Sequence, residues 1–275
     1  GQRFKQIDYT YDLISGKVNQ VIYQKNKGDQ FIYKYGYDAD NRVTSSLSSR
    51  DGLLWQKDAK YNYYLHGPLA RTELGSYSVQ GTDYAYTLQG WMKHINAPVM
   101  NQTADIGRDG DEALAGNIFK YVSRDALGYM LSYFDGDYKP IQPGSPLAFN
   151  ETVPSSAGTG LDLFNGNIRA THTQIGQLGT PKTYSYRYDQ LNRLLRMRKH
   201  ETTYQPIVGS NPPALNIAAE TAEYQEDVSY DANGNILSYA RNGNNGQLNM
   251  DALTYQYERN GSGQMISNKL RYVHD

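Results

Sequence analysis

The chain has 275 residues, a formal net charge of −1 and no cysteine. The lack of cysteine excludes disulfides and cysteine-based metal sites. The near-neutral charge gives no electrostatic case for binding nucleic acid or an acidic membrane surface, and no apolar run reaches the length of a membrane span.

In chain order, Gln6 to Asn26 predicts a hairpin: Ile7, Tyr9 and Tyr11 alternate, a Ser15-Gly16 turn follows, and Val18 and Val21 return. Gln30 to Leu47 repeats it, with Phe31, Tyr33, Tyr35 and Tyr37 in strict alternation, the clearest period-two pattern in the chain. Leu53-Leu54-Trp55, Tyr61-Asn62-Tyr63-Tyr64 and a turn at His66-Gly67-Pro68 follow, and Thr82 to Ile95 closes the regular part. Residues 101–117 are polar and read as loop with a short helix. Phe119 to Tyr133 reads as a degenerate repeat turning at Arg124-Asp125-Ala126-Leu127-Gly128. Lys139 to Gly160 and Pro206 to Asn216 are loops by their Pro, Gly and Ser content. Leu161 to Leu178 carries an Asn-Gly-Asn turn, Tyr184 to His200 is again a strong repeat, and the last repeats flank a turn-rich insert at Asn242–Gly246. No long helix is expected.

One phrase recurs through these hairpins: Tyr-x-Tyr-Asp, then Gly or Asn, often with Arg. Its clear copies are Tyr9, Tyr11, Asp12 and Gly16; Tyr35, Tyr37, Asp38 and Arg42; Tyr186, Tyr188, Asp189 and Arg193; and Tyr230, Asp231 and Gly234. Weaker echoes stand at Tyr61-x-Tyr63 with Gly67, Tyr84-x-Tyr86 with Gly90, and Tyr255-x-Tyr257 with Gly261. Residues i and i+2 of a strand share a face, so each pair sets two rings side by side. Asp accepts a hydrogen bond from the backbone two residues on, and Gly or Asn adopts the left-handed backbone that closes a hairpin. Tyr11 to Tyr37 and Tyr37 to Tyr63 are each 26 residues, and Tyr230 to Tyr257 is 27. Such a period marks stacked units, each too small to bury a core alone. The 26 tyrosines against six phenylalanines suit strands with half-buried rings and partnered hydroxyls.

Tyr-Asp followed by Gly or Asn, Arg and an aliphatic residue resembles the YD repeat of the RHS family, shared by bacterial RHS proteins, Tc toxin shell components and teneurins. The stretches Tyr84–Asn96, Leu114–Phe119 and Phe164–Ile168 resemble RHS proteins of the Bacteroides type. The resemblance implies an all-β fold of tandem hairpins in a long, twisted, curved sheet, part of a spiral shell. It implies one repeat region over 1–275, regular over 5–100, interrupted over 101–180 and regular again over 181–275, as a segment of a longer secreted or cell-surface protein. The implied role is structural, without catalysis or cofactor. The implied partners are the rest of the parent chain, its RHS core and its C-terminal cargo, and open sheet edges favour self-association.

The repeated Asp reads as a turn cap, and Arg42 and Arg193 read as partners of an Asp or of a Tyr in a neighbouring repeat. Asp105, Asp109, Asp111 and Glu112 form the densest acidic cluster but lack the calcium-loop spacing and read as a solvated loop. His66, His94, His172, His200 and His274 show no zinc spacing, and no nucleophile elbow or phosphate loop is present. Two other readings remain at this stage. One is a glycan-binding or adhesion module using Trp55, Trp91 and exposed tyrosines. The other is an enzyme with its site in the Asp105–Glu112 or Pro206–Asn216 loops.

Overall fold

The computed structural model describes residues 4–101, 104–139, 150–152, 162–205 and 214–275. It divides into two compact units, Gly1–Ala85 with Met100–Ala126, and Tyr86–Val99 with Leu127–Asp275. Both are built from successive antiparallel hairpins, and apart from one 3-10 turn at Gly176–Leu178 the described residues hold no helix.

The first unit is a meander. Strands β1 (Ile7–Tyr11), β2 (Val18–Tyr23), β3 (Phe31–Tyr37), β4 (Val43–Ser49), β5 (Gln56–Tyr63), β6 (Leu69–Leu74) and β7 (Gln80–Tyr86) pair in sequence order. The alternation read from Phe31 to Tyr37 is β3. At the ends of β1, β3 and β5 the register slips by a bulge, at Thr10/Tyr11, Gly36/Tyr37 and Asn62/Tyr63. A bulge sharpens the local twist, so each repeat adds its own increment of twist.

The second unit carries β8 (Met92–Ile95), β9 (Leu127–Ser132), β10 (Asn150–Thr152), β11 (Ala170–Ile175), β12 (Lys182–Tyr188), β13 (Leu194–Gln205), β14 (Ala214–Glu220), β15 (Glu226–Tyr230), β16 (Ile236–Arg241), β17 (Asp251–Arg259) and β18 (Met265–His274). Their spatial order is β8–β9–β11–β12–β13–β15–β16–β17–β18. The 12-residue β13 outruns its neighbours. Arg196 and Met197 pair with β15, and His200 to Gln205 pair with β14.

Three expectations are corrected. The turn placed at 124–128 ends sooner, because Leu127 and Gly128 already belong to β9. Gly128 is there because a Cβ would stand 2.2 Å from the Ala97 carbonyl oxygen. Within the two expected loops, Asn150–Thr152 and Ala214–Asn216 form a parallel strand pair. Neither triplet contains Pro or Gly, and Leu215 is buried. Residues 140–149, 153–161 and 206–213 of those loops lie outside the described residues. No helix forms in the described part of 101–117.

The apolar core is thin in both units. Ile22, Ile32 and Ala59 are buried in the first, and Met130, Leu131, Leu215 and Ile217 in the second. Much of the buried volume is polar, and Lys93, His94, His172 and His200 are among the largest fully enclosed side chains.

Candidate functional site

The repeat phrase builds one local device many times. Asp12, Asp38, Asp189 and Asp231 each accept, through Oδ1, the backbone N–H two residues on, from Ile14, Asp40, Leu191 and Asn233 at 2.8–3.1 Å. All four carboxyls are held below the usual carboxylate range by the hydrogen bonds of their turns. The leading cause is the Ser15 backbone for Asp12, the Arg42 and Arg193 backbones for Asp38 and Asp189, and the Asn235 side chain for Asp231. The turns close through left-handed residues, Gly16 (φ 69°), Asn41 (φ 61°), Asn192 (φ 62°) and Gly234 (φ 91°). In the last echo this residue is Gly263 (φ 77°), not Gly261.

The same turns lock each repeat to the next. Arg42 Nε donates to Asp38 Oδ2 at 2.7 Å, and its guanidinium lies 4.6 Å from the ring centre of Tyr63. Arg193 repeats this with Asp189 at 2.6 Å and Tyr230 at 4.6 Å. The stacked tyrosine then donates its hydroxyl back to the first residue after the earlier turn, Tyr63 to Val43 O at 2.7 Å and Tyr230 to Leu194 O at 2.9 Å. Tyr37 to Val18 O, Tyr188 to Ile168 O and Tyr257 to Ile236 O follow the rule at 2.8, 3.0 and 2.9 Å. Each bond is worth about 1 kcal/mol net, and it recurs along the chain. Tyr9 and Tyr11 stack with centroids 6.3 Å apart. Tyr35 lies on β3 and Tyr186 on β12, where the Tyr186 hydroxyl is 3.1 Å from Thr171 Oγ1.

The two tryptophans differ. Trp91 is packed against Tyr133, with centroids 5.0 Å apart, and against Gly166, where an added Cβ would sit 3.3 Å from the indole. Trp55 lines an open groove of about 470 Å³ with Phe31, Ser48, Arg50, Asp51 and Gln56. Its Nε1 donates to Gly52 O at 3.1 Å, and Lys34 Nζ lies 5.5 Å from its ring centre.

Two buried polar clusters escaped the sequence reading. In the first unit, Arg71 on β6 is 3% exposed. Its Nη2 donates to Asp109 Oδ1 at 2.6 Å, its Nη1 to Asp83, and its guanidinium lies 3.8 Å from the Phe119 ring centre. Asp105 accepts from the Gly107 and Asp109 amides at 3.1 and 2.7 Å. Asp105 and Asp109 are therefore buried rather than solvated as expected, because Arg71 and Phe119 supply partners that local sequence does not reveal. Asp111, paired to Arg108, and exposed Glu112 stay at the periphery. Burial pushes the Asp83 carboxyl up to about 7, with Arg71 pulling down and Asp105 and Asp109 pushing up. Burial also raises Asp109 and Asp125.

In the second unit the strand register lines up His94, Met130, His172, Thr183 and His200 across five strands, all at 0–1% exposure. His172 Nδ1 lies 2.8 Å from Thr183 Oγ1, and His200 Nε2 lies 2.8 Å from Ser185 Oγ. Burial lowers the His200 pKa. Nearby, Lys93 Nζ contacts Asp137 Oδ1 at 2.8 Å and Ser132 Oγ at 3.3 Å, and Ser132 Oγ lies 3.3 Å from His172 Nε2. Ser132 is fully enclosed at 0% exposure, so no face of this hydroxyl is open to a substrate. The histidines occupy alternate strands, about 10 Å apart by strand spacing. No group of three or more metal-ligating side chains forms among the described residues.

Against known structures, the chain is similar to the Photorhabdus luminescens Tc holotoxin pore, with TM-score 0.54 and 14% identity over 91% of this chain and 10% of that one. It shares its fold with part of a Tc toxin assembly. Crystal structures of TcdB2-TccC3 and of TcdB2-TccC3-TEV match similarly, with TM-scores 0.54 and 0.52 and identities 15% and 14%, again over 91% of this chain and 10% of those. The chain thus spans about a tenth of the length of the chains it matches. No protein-family model matches it, and no curated protein does.

Proposed function

We propose that this chain is a non-catalytic wall segment of an RHS/YD-repeat shell of Bacteroides type, within a secreted or cell-surface bacterial protein that encloses or displays a C-terminal toxin or effector. The observation that carries this reading is the inter-repeat lock. Its Asp, Arg and Tyr are spent on each other and on backbone carbonyls, which suits them to hold hairpins in register. The likeness in fold to parts of TcdB2-TccC3 supports a shell-like role. Limited proteolysis of the parent protein tests it. A downstream segment that survives while the repeats are intact, and is cut once they are opened, supports enclosure. A segment cut freely from the start rules enclosure out.

A second reading rests on the Trp55 groove. An indole beside Arg50, Asp51 and Gln56 offers a sugar a flat apolar platform with polar edges. Glycan-array binding that is lost in Trp55→Ala and kept in Trp91→Ala would favour an adhesion module. No binding to any glycan would end that reading.

A further inference from the structure

The long strand β13 changes partner along its length, and a cavity opens where it does. Arg196 and Met197 pair with β15, His200 to Gln205 pair with β14, and residues 221–225 link β14 to β15. The cavity measures about 420 Å³ and is lined by Tyr184, Tyr186 and Tyr224, by Met197 and Met250, and by Glu226. The strand register builds one wall directly. Tyr186 faces Met197, Met197 faces Glu226, and Glu226 faces Arg241. Tyr184 stands two residues before Tyr186, on the same face of β12. Tyr224 comes from the link and holds a left-handed backbone (φ 51°), an outlier for a bulky residue. Its amide donates to Gly243 O at 3.0 Å, and Thr221 N donates to Lys199 O at 2.9 Å, so the link is fixed in this shape. Strain of this kind persists only where surrounding contacts over-determine it, and it concentrates at ligand sites.

Most polar groups around the cavity are already spent. Arg241 Nε donates to Asp251 Oδ2 at 2.7 Å, and its Nη2 lies 2.5 Å from the same oxygen. The Asn242 side chain donates to Ala222 O at 2.7 Å and accepts the Asn249 amide at 3.2 Å. The Tyr186 hydroxyl lies 3.1 Å from Thr171 Oγ1. Lys199 is paired with Glu223, and its Nζ lies 5.4 Å from the Tyr224 ring centre. Glu226 is the exception, because no ion pair holds its carboxylate among the described residues. Arg198, paired with Asp227, donates only to the backbone oxygen of Glu226. Three acids, Glu223, Glu226 and Asp251, thus stand against two bases, Lys199 and Arg241. The unbalanced charge is the one that lines the cavity.

A sugar needs many hydrogen bonds that these side chains no longer offer. A methylated ammonium needs none. It needs aromatic faces, polarisable sulfur against its methyl groups and a carboxylate within Coulomb range. We propose that this cavity binds a trimethylammonium group, with Tyr184 and Tyr224 as aromatic walls and Glu226 as the counter-charge. The site does not depend on the shell reading.

Calorimetric titration of the 275-residue chain with choline tests this, with the uncharged isostere 3,3-dimethylbutan-1-ol as the comparison. Choline should bind with a Kd of about 10 μM to 1 mM, and the isostere about tenfold more weakly or worse. Glu226→Gln, which keeps the shape, should weaken choline about tenfold. Tyr184→Leu and Tyr224→Leu should each do the same, whereas Tyr184→Phe and Tyr224→Phe keep the ring faces and the affinity. Trp55→Ala, in the first unit, should change nothing. Phosphatidylcholine vesicles distinguish the source of the group. Retention of the chain on them that Glu226→Gln abolishes marks a lipid headgroup, choline binding without retention marks a free solute, and either result supports the site. No choline binding up to about 10 mM, equal affinity for the isostere, or indifference to both Glu226→Gln and the leucine variants would overturn the proposal.

Discussion

Arg42 and Tyr63 belong to successive hairpins, and the guanidinium of one lies 4.6 Å above the ring of the other. The same arginine is fixed by its own turn through Asp38 at 2.7 Å. One side chain therefore ties a turn to itself and to its neighbour. Lysine cannot do both, because it lacks a planar fork that stacks and donates in two directions. Arg42→Lys should lower stability by about 1 kcal/mol in urea unfolding, the scale of a lost stack. A change indistinguishable from that of the exposed substitution Lys25→Arg would show that the stack contributes nothing.

Tyr63→Phe removes only the hydroxyl that Val43 O accepts. The carbonyl loses its partner at the bulge, and the expected cost is about 1 kcal/mol. Amide exchange should accelerate at the β4–β5 junction and stay unchanged in β17 and β18. Uniform acceleration would mean that the bond is not local.

Gly81 and Gly107 hold the Arg71 guanidinium between them. A Cβ on Gly81 would stand 2.0 Å from Arg71 Nη2, and one on Gly107 would stand 2.3 Å from Nη1. Gly107→Ala must displace a buried ion pair, so a loss of about 2 kcal/mol or more is expected. Gly28→Ala, where nothing lies within 4 Å of the added carbon, is the control. Equal melting temperatures for the two variants would contradict the enclosed geometry.

The buried acids set a pH dependence. In the unfolded chain Asp83 titrates near 3.8, and in the folded chain near 7. Between those values the folded state holds a proton that the unfolded state has released. The contribution of this group is therefore complete below about 3.8, declines as pH rises and is lost above about 7. Asp109 and Asp125, also raised, act in the same direction. Asp38 and Asp189 are lowered and act oppositely, losing their contribution as pH falls below their usual range. Asp83→Asn should flatten the fall in stability of the first unit between mildly acidic and neutral pH. An unchanged slope would remove Asp83 as its source.

The hairpins were legible because their determinants are local. Asp38 finds Asp40 N two residues on and Asn41 takes the left-handed turn, so a phrase of a few residues fixes the geometry. The partner of Arg42 was legible because the repeat brings Tyr63 back one period later. The Arg71 cluster was not. Its carboxyls come from Asp83 and Asp109, the latter 38 residues away, and residues 105–112 alone look like any solvated acidic loop. The histidine row was hidden for a similar reason. His94, His172 and His200 meet only through the register of five strands, and their sequence spacing carries no trace of it. A usable hint was present in Lys93-His94 and in Arg71-Thr72-Glu73, polar side chains in strands where alternation demands that some face inward.

The most direct test of the proposed role is a cryo-electron microscopy structure of the longer parent protein. The account predicts that residues 1–275 form consecutive turns of the wall of a closed hollow spiral, with Tyr11 bonded to a preceding hairpin and downstream chain inside the cavity. An open, surface-lying repeat array with the downstream chain outside it would contradict the account.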